Sequence, residues 1–225
     1  MRRVNLFLLL MLVLILPTSI ATAKQSIFPS LEISNVYYPD PFLYVYVNAN
    51  GQCQLSYAGL GIFQYKDTSG LMTIELYHDS PDACNTTPFQ TFNVQYTVGD
   101  FWTLFIYAGT DGNPAYALFK NDLTNVPSGK ARLFLRNGYS DPSADFVIQH
   151  KGNTPPVVVT VANGQQKVVD LQSGNWDITL NGVSEPVQFF SWNVPYHAGD
   201  FWSVTIGGLT PAEQVIGIWD YRYGG

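Results

Sequence analysis

The sequence predicts an all-β protein: two tandem antiparallel β-sandwiches of the immunoglobulin-like or transthyretin-like kind, behind a signal peptide. Three observations carry that prediction. The segment Phe92-Asn93-Val94-Gln95-Tyr96-Thr97-Val98-Gly99-Asp100-Phe101-Trp102 returns one hundred residues later as Trp192-Asn193-Val194-Pro195-Tyr196-His197-Ala198-Gly199-Asp200-Phe201-Trp202, with seven of eleven positions identical. Chance does not hold seven identities in register, so one unit is written twice. Aromatic residues make up 15% of the chain and charged residues only 12%; β-branched and aromatic side chains pack best on a pleated, half-buried surface. No useful window shows a 3.6-residue apolar stripe free of Gly, Pro or Asn, so helix content should be low.

At the N-terminus Arg2 and Arg3 precede an apolar run, Leu6 to Leu16, then Pro17 and Ala21-Thr22-Ala23. A charged start, a short apolar core and an A-x-A site read as a secretory signal over residues 1–23, cleaved after Ala23. The rival reading is an uncleaved anchor, but the run is shorter than the ~20 residues that span a bilayer. No cysteine stands near the cleavage site to take a lipid. Removing residues 1–23 takes away two arginines and no acid, which moves the formal net charge from −6 to −8. An acidic chain without a Lys/Arg cluster lacks the footprint of a nucleic-acid binder and has little attraction to anionic lipid. No later stretch is apolar enough to cross a membrane. The repeats divide the rest into 24–124 and 125–225.

In the first repeat, Leu43 to Val47 alternates aliphatic and tyrosine positions as a two-faced strand does. Asn50-Gly51 then tolerates the positive φ angles of a tight hairpin. Met72 to Tyr77 is a strand introduced by Ser69-Gly70, and His78 to Pro88 is a polar loop. Asn93 to Thr97 leads through the Gly99-Asp100 turn into Phe101 to Tyr107, and Asp111-Gly112-Asn113-Pro114 turns into Ala115 to Phe119. The second repeat follows with strands Ala131 to Arg136, Ala144 to Ile148 and Val157 to Val161. A hairpin signal at Asn163-Gly164 returns Lys167 to Leu171. Trp176 to Leu180, Phe189 to Tyr196, Phe201 to Ile206 and Val215 to Tyr221 complete it. About seven short strands per repeat with frequent turn signals fit a sandwich. The link Asn121 to Gly129 is short, so the two units are expected to touch.

The only cysteines are Cys53 and Cys84, both in the first repeat. In an exported chain two cysteines most simply form one disulfide, adding ~2–4 kcal/mol by restricting the unfolded chain. A metal site would need further His or Cys partners at ligand spacing, and none is apparent. Asn85-Thr86-Thr87 is a glycosylation acceptor if the producing cell glycosylates exported proteins.

The phrase Val126-Pro127-Ser128-Gly129-Lys130-Ala131-Arg132-Leu133-Phe134-Leu135-Arg136-Asn137-Gly138-Tyr139-Ser140-Asp141-Pro142 resembles the opening of a repeat in the bacterial and archaeal domain-of-unknown-function family numbered 4397 (DUF4397). The family's "V-D-V-Y-V-N-G" strand is matched by Tyr44-Val45-Tyr46-Val47-Asn48 and more loosely by Ala144-Asp145-Phe146-Val147-Ile148. Its later Gly-containing turns are echoed by Ser69-Gly70, Ser173-Gly174, Gly99 to Trp102 and Gly199 to Trp202. The usual His of the opening phrase is missing, with Tyr37 and Tyr139 nearby instead. The resemblance covers nearly the whole mature chain and implies exported β-sandwich modules at the cell surface. It supplies no catalytic residue.

Strand residues alternate between faces, which makes Trp102, Leu104 and Ile106, with Trp202, Val204 and Ile206, the expected cores. The opposite face differs between copies: Phe101, Thr103, Phe105 and Tyr107 in one, Phe201, Ser203, Thr205 and Gly207 in the other. Tyr44 and Tyr46 likewise stand where the second copy has Asp145 and Val147. This aromatic surface is either a contact with the second unit or another subunit, or an exposed platform for a glycan or peptide. Asp100 and Asp200 recur beside glycine, the setting of a turn in which Asp bonds its own backbone; calcium would need six to eight oxygen ligands. His78, His150 and His197 are scattered and unrepeated. No H-E-x-x-H, G-x-S-x-G or P-loop occurs. The reading is a non-enzymatic secreted or cell-surface protein, with no cofactor or metal, acting as a binding, adhesion or structural module. Its partner would be a surface glycan, a protein or a second copy of itself. The alternatives are a self-assembling subunit of an extracellular filament or sheath, and a secreted hydrolase whose site the sequence does not advertise.

Overall fold

The computed structural model describes residues 30–37, 44–49, 52–56, 60–64, 69–77, 87–124, 126–150, 155–182, 188–208 and 215–220. The signal stretch 1–23, Cys84 and the Asn85 sequon lie outside them. Among the described residues there is no helix, and sixteen strands follow one another. The first eight are β1 (Ser30–Asn35), β2 (Tyr44–Ala49), β3 (Gln52–Ser56), β4 (Leu60–Gln64), β5 (Gly70–Tyr77), β6 (Gln90–Tyr96), β7 (Phe101–Ala108) and β8 (Pro114–Asn121). The second eight are β9 (Lys130–Tyr139), β10 (Ser143–His150), β11 (Val157–Ala162), β12 (Gln165–Gln172), β13 (Gly174–Gly182), β14 (Gln188–Tyr196), β15 (Phe201–Gly208) and β16 (Val215–Asp220).

They make four four-stranded sheets. The orders β3-β2-β5-β6 and β4-β1-β7-β8 enclose one core; β11-β10-β13-β14 and β12-β9-β15-β16 enclose the other. The two halves have the same topology strand for strand, so the protein is two tandem β-sandwiches. The expected antiparallel pairing holds except at one ladder in each half: β1 runs parallel to β7, and β9 parallel to β15. Side-chain alternation has the same period in either direction, so it carries no information about strand polarity.

Strands β2 and β3 pair antiparallel as the sequence suggests, and the turn itself lies outside the described residues. The register Ala49↔Gln52 leaves two residues, Asn50 and Gly51, between β2 and β3. The other Asn-Gly pair does something different from what its sequence suggests. Val157 to Val161 and Lys167 to Leu171 read as partners, yet β11 edges one sheet and β12 the other. Asn163-Gly164 therefore bridges two layers. Its bonds explain the diversion: the Gly164 amide donates to Asn137 O (2.7 Å) and the Asn163 amide to Pro142 O (2.9 Å), both outside the would-be hairpin.

The first core gathers Leu31, Ile33, Val45, Val47, Met72, Ile74, Leu76, Val94, Leu104 and Ile106, with Trp102 packed against it. The second gathers Leu133, Leu135, Phe146, Ile148, Val161, Ile178, Trp202, Val204 and Ile206. In the outer sheets burial alternates, as in β10. In the sheets holding β7, β9 and β15 it does not: nine of ten residues of β9 and seven of eight of β15 are buried. Strands covered on both faces lose the alternation of exposure, and the second cover here is the other sandwich. The layers thus run outer sheet, inner sheet, inner sheet, outer sheet, with the two inner sheets face to face.

Candidate functional site

The face-to-face contact holds Phe105 and Tyr107, two of the five aromatics that sequence reasoning singled out. Phe101 is 3% exposed and Phe105 is fully buried, on the side of β7 away from its own core. The Phe105 ring stacks on Tyr107 (5.0 Å between centroids) and tilts against Phe119 at 6.3 Å. Neither phenylalanine offers a ring to a ligand. Tyr107, partly buried, has its hydroxyl pKa raised by desolvation.

What receives these rings is absence of side chain. A Cβ at Gly138 would lie 2.6 Å from both the Phe105 ring and Tyr107 Cβ, and 2.8 Å from Val36 Cγ2. A Cβ at Gly207, the counterpart of Tyr107, would overlap Val36 and approach its carbonyl oxygen at 2.6 Å. At Gly164, where φ is +69°, it would overlap the Tyr107 ring. The aromatic-versus-small asymmetry of the two copies is therefore a knob-and-hole pair: large residues of one fill glycine hollows of the other, to the close packing that protein interiors require.

Tyr46 lies elsewhere. It is buried on the outer side of β2, edge-on to Tyr77 at 5.3 Å. The Tyr77 hydroxyl donates to Glu75 Oε2 (3.0 Å), and its pKa is pushed up to about 12, by burial first and then by that hydrogen bond. Tyr44 pairs with Tyr77 in the β2–β5 register, and Cys53 with Asn48 in the β2–β3 register; the Cys53–Cys84 bridge falls outside the described residues.

The most chemically demanding group in the contact was not singled out by sequence reasoning. Arg136 on β9 is fully buried, and all five of its N–H donors are used. Nε donates to Gln166 Oε1 (2.8 Å). Nη1 donates to Glu32 Oε2 (3.0 Å) and Ser203 Oγ (2.5 Å), and Nη2 to Thr103 Oγ1 (2.9 Å) and Asn121 Oδ1 (3.1 Å). Thr103 Oγ1 in turn donates to Glu32 Oε2 (2.6 Å), and Asn121 Nδ2 donates to Thr103 Oγ1 (2.7 Å). The guanidinium carbon sits 5.9 Å from the ring centroids of Phe119 and Phe134, one from each repeat. Glu32, Thr103 and Asn121 belong to the first sandwich, and Arg136, Gln166 and Ser203 to the second. A buried charge persists only when paired and hydrogen-bonded, so this network specifies how the halves dock. The available signal was slight: Glu32 lies between Leu31 and Ile33, and Arg136 follows the apolar run Leu133-Phe134-Leu135.

A second arginine fastens the link between the halves. Arg132 forms a bidentate pair with Asp170 (2.8 and 3.0 Å) and donates through Nη1 to Asp122 O, Asp122 Oδ2 and Thr124 O. The Asp170 pKa is lowered, chiefly by the Arg132 hydrogen bonds, and that of Asp122 chiefly by bonds from Thr124. A depressed carboxyl binds its proton less readily folded than unfolded. Its stabilisation is whole above the ordinary carboxylate range, about 4, and drains away as pH falls through the lower folded value. Unfolding free energy should therefore fall more steeply below pH ~4 in the natural protein than in Asp170→Asn; parallel curves from denaturant titrations across that range would refute the assignment.

The repeated aspartates are turn residues. Asp100 Oδ2 accepts the Thr97 amide (3.0 Å) while the Asp100 amide donates to Thr97 O (2.8 Å). Asp200 does the same with His197, at 2.7 and 3.1 Å. Gly99 and Gly199 have φ of 92° and 88°, which the third position of this turn demands. Asn35 and Asn137 are a second repeated device: each side-chain oxygen accepts the amide two residues on, from Tyr37 (3.0 Å) and Tyr139 (2.9 Å). An open cleft of about 380 Å³ is lined by Gly99, Asp100, Lys120, Asn121, Asp122, Leu123 and Thr124, but Lys120 already pairs with Asp100 at 2.8 Å. Among the described residues no group of three or more His, Cys, Asp or Glu is placed to hold a metal, and no helix is long and apolar enough to cross a membrane.

Fold and packing define a tandem β-sandwich protein whose halves share one buried polar seam. No protein-family model matches the chain, and no curated protein matches it. Among solved structures it is similar to the Bacillus anthracis TIE protein (11% identity, TM-score 0.30, covering 80% of this chain and 50% of that one). It is also similar to a candidate cell adhesion protein of Bacteroides fragilis NCTC 9343 (9%, 0.28, 87% and 98%). A third is the family-26 carbohydrate-binding module of Eubacterium rectale Amy13K, solved with maltoheptaose (10%, 0.28, 84% and 96%). The chain spans half the length of the Bacillus anthracis protein. Likeness at these values carries nothing about activity, since sites and not folds hold function.

Proposed function

We propose that this is an exported, non-enzymatic two-sandwich protein that works outside the cell or at its surface as a binding or structural module. The observation that carries the reading is how the repeated polar residues are used. Asp100 and Asp200 close turns on their own backbone, and Asn35 and Asn137 each accept the amide two residues on. A catalytic pair needs a nucleophile and a base within reach of a substrate, and the polar groups the copies share are engaged in holding shape. The buried seam adds a second support: it joins the two modules through a buried ion pair and hydrogen bonds, which suits a spacer or a presenting scaffold. The export signal over residues 1–23 and a Cys53–Cys84 bridge belong to the same reading, because disulfides persist in oxidising compartments. Asn85 is the proposed glycan acceptor.

Fractionation of producing cells, with N-terminal sequencing and a non-reducing peptide map, tests this. The expected result is protein in the medium or on the surface, beginning at Lys24 and carrying a linked Cys53–Cys84 peptide. A cytoplasmic protein retaining residues 1–23 would overturn it.

A further inference from the structure

Among the described residues, strand β11 is the outermost strand of its sheet and reads Val-Val-Val-Thr-Val-Ala. Natural edge strands are blunted by lysine, proline or a bulge, because their free N–H and C=O groups otherwise template another chain. β11 has none of these within it: no charged residue, and an unbroken register with β10 from Ser143↔Ala162 to Ile148↔Val157. Pro155-Pro156 stands only at its start. Val157 and Val158 are 39% and 55% exposed. The corresponding edge of the first repeat, β3, reads Gln-Cys-Gln-Leu-Ser instead.

We infer that β11 pairs with β11 of a second copy, antiparallel about a two-fold axis through Val159, joining two outer sheets into one eight-stranded sheet. The strand is self-complementary in that arrangement. Val157 falls opposite Val161 of the second copy, Val158 opposite Thr160, and Val159 opposite itself. A two-fold axis perpendicular to the sheet keeps each face on its own side. Val159 and Val161, which pack on the core, therefore meet the core side of the partner, while Val158 and Thr160 remain on the outer side. Aliphatic pairs directly across neighbouring strands are favourable, and like charges there are not. Because a two-fold contact uses the same patch on both copies, it closes at a dimer and does not propagate. One strand pair is well short of the ~1,200–2,000 Å² of a stable interface, so the dimer should be reversible and concentration-dependent.

Sedimentation equilibrium on the purified protein should show a monomer–dimer equilibrium. The double variant Val158→Lys with Thr160→Lys, which sets lysine against lysine across the axis, should weaken it by ~10-fold or more. Register is read separately with single cysteines at these two exposed positions. An oxidised mixture of Val158→Cys and Thr160→Cys proteins should give a crosslinked peptide joining 158 to 160, and neither variant alone should. A monomer at every concentration, an equilibrium unmoved by the lysines, or Val158→Cys linking to itself would each overturn the pairing. A strictly monomeric protein found at the cell surface would refute the dimer and leave the surface role standing.

Discussion

Arg136→Met is expected to lower the free energy of unfolding by ~3–5 kcal/mol, the usual cost of leaving one member of a buried ion pair alone, as read by urea denaturation at neutral pH. The side chains of Arg136 and Glu32 are both wholly removed from solvent. Removing the guanidinium strands a carboxylate between two sheets, with Thr103 the donor that remains among the bonds described above. It also frees the acceptors on Gln166, Ser203 and Asn121. The pair itself is weak support for stability, because desolvating two charges offsets most of their attraction. Much of the loss should accordingly be recovered in Glu32→Gln with Arg136→Met, where no lone charge is left. A single-variant loss below ~1 kcal/mol would mean that water reaches the pair as at a surface salt bridge.

Phe105→Ala should cost a comparable ~3–5 kcal/mol, since a large buried ring leaves both its transfer energy and a cavity behind. Its counterpart Thr205→Ala should cost far less. The ring is fully buried and fills the hollow over Gly138. The opposite change makes the same point from the other side: Gly138→Ala puts a methyl group where ring and backbone-proximal atoms already stand, with an expected cost of ~1–3 kcal/mol for overpacking. Thermal and denaturant unfolding of the three variants gives the comparison. Equal small effects at Phe105 and Thr205 would show that the two inner sheets do not pack against each other in solution.

Much of this architecture was legible in the chain. The one-hundred-residue echo announced two copies of one unit, and the spacing of turn residues announced sheets. Trp102, Leu104 and Ile106, with Trp202, Val204 and Ile206, were correctly placed toward the cores because alternation along a strand is a local property. The turn role of Asp100 and Asp200 was legible for the same reason: donor and acceptor lie three residues apart. Strands β1, β3 and β4 were harder to see, being short, polar or interrupted, as in Gln-Cys-Gln-Leu-Ser. Strand polarity and the partners of β11 and β12 were not legible, since a strand's pattern does not say which neighbour it joins.

By itself, then, the sequence determined the kind of structure, its doubling, and an asymmetry between copies at positions 105 and 205 and at 107 and 207. Whether that aromatic face met water, a ligand or another sheet was decided by tertiary structure alone. The reason is physical: alternation reports that a residue leaves its own core, and only the docking of the two inner sheets supplies Gly138 and Gly164 to receive it. The same docking turns Glu32 and Arg136, 104 positions apart in the chain, into one buried pair.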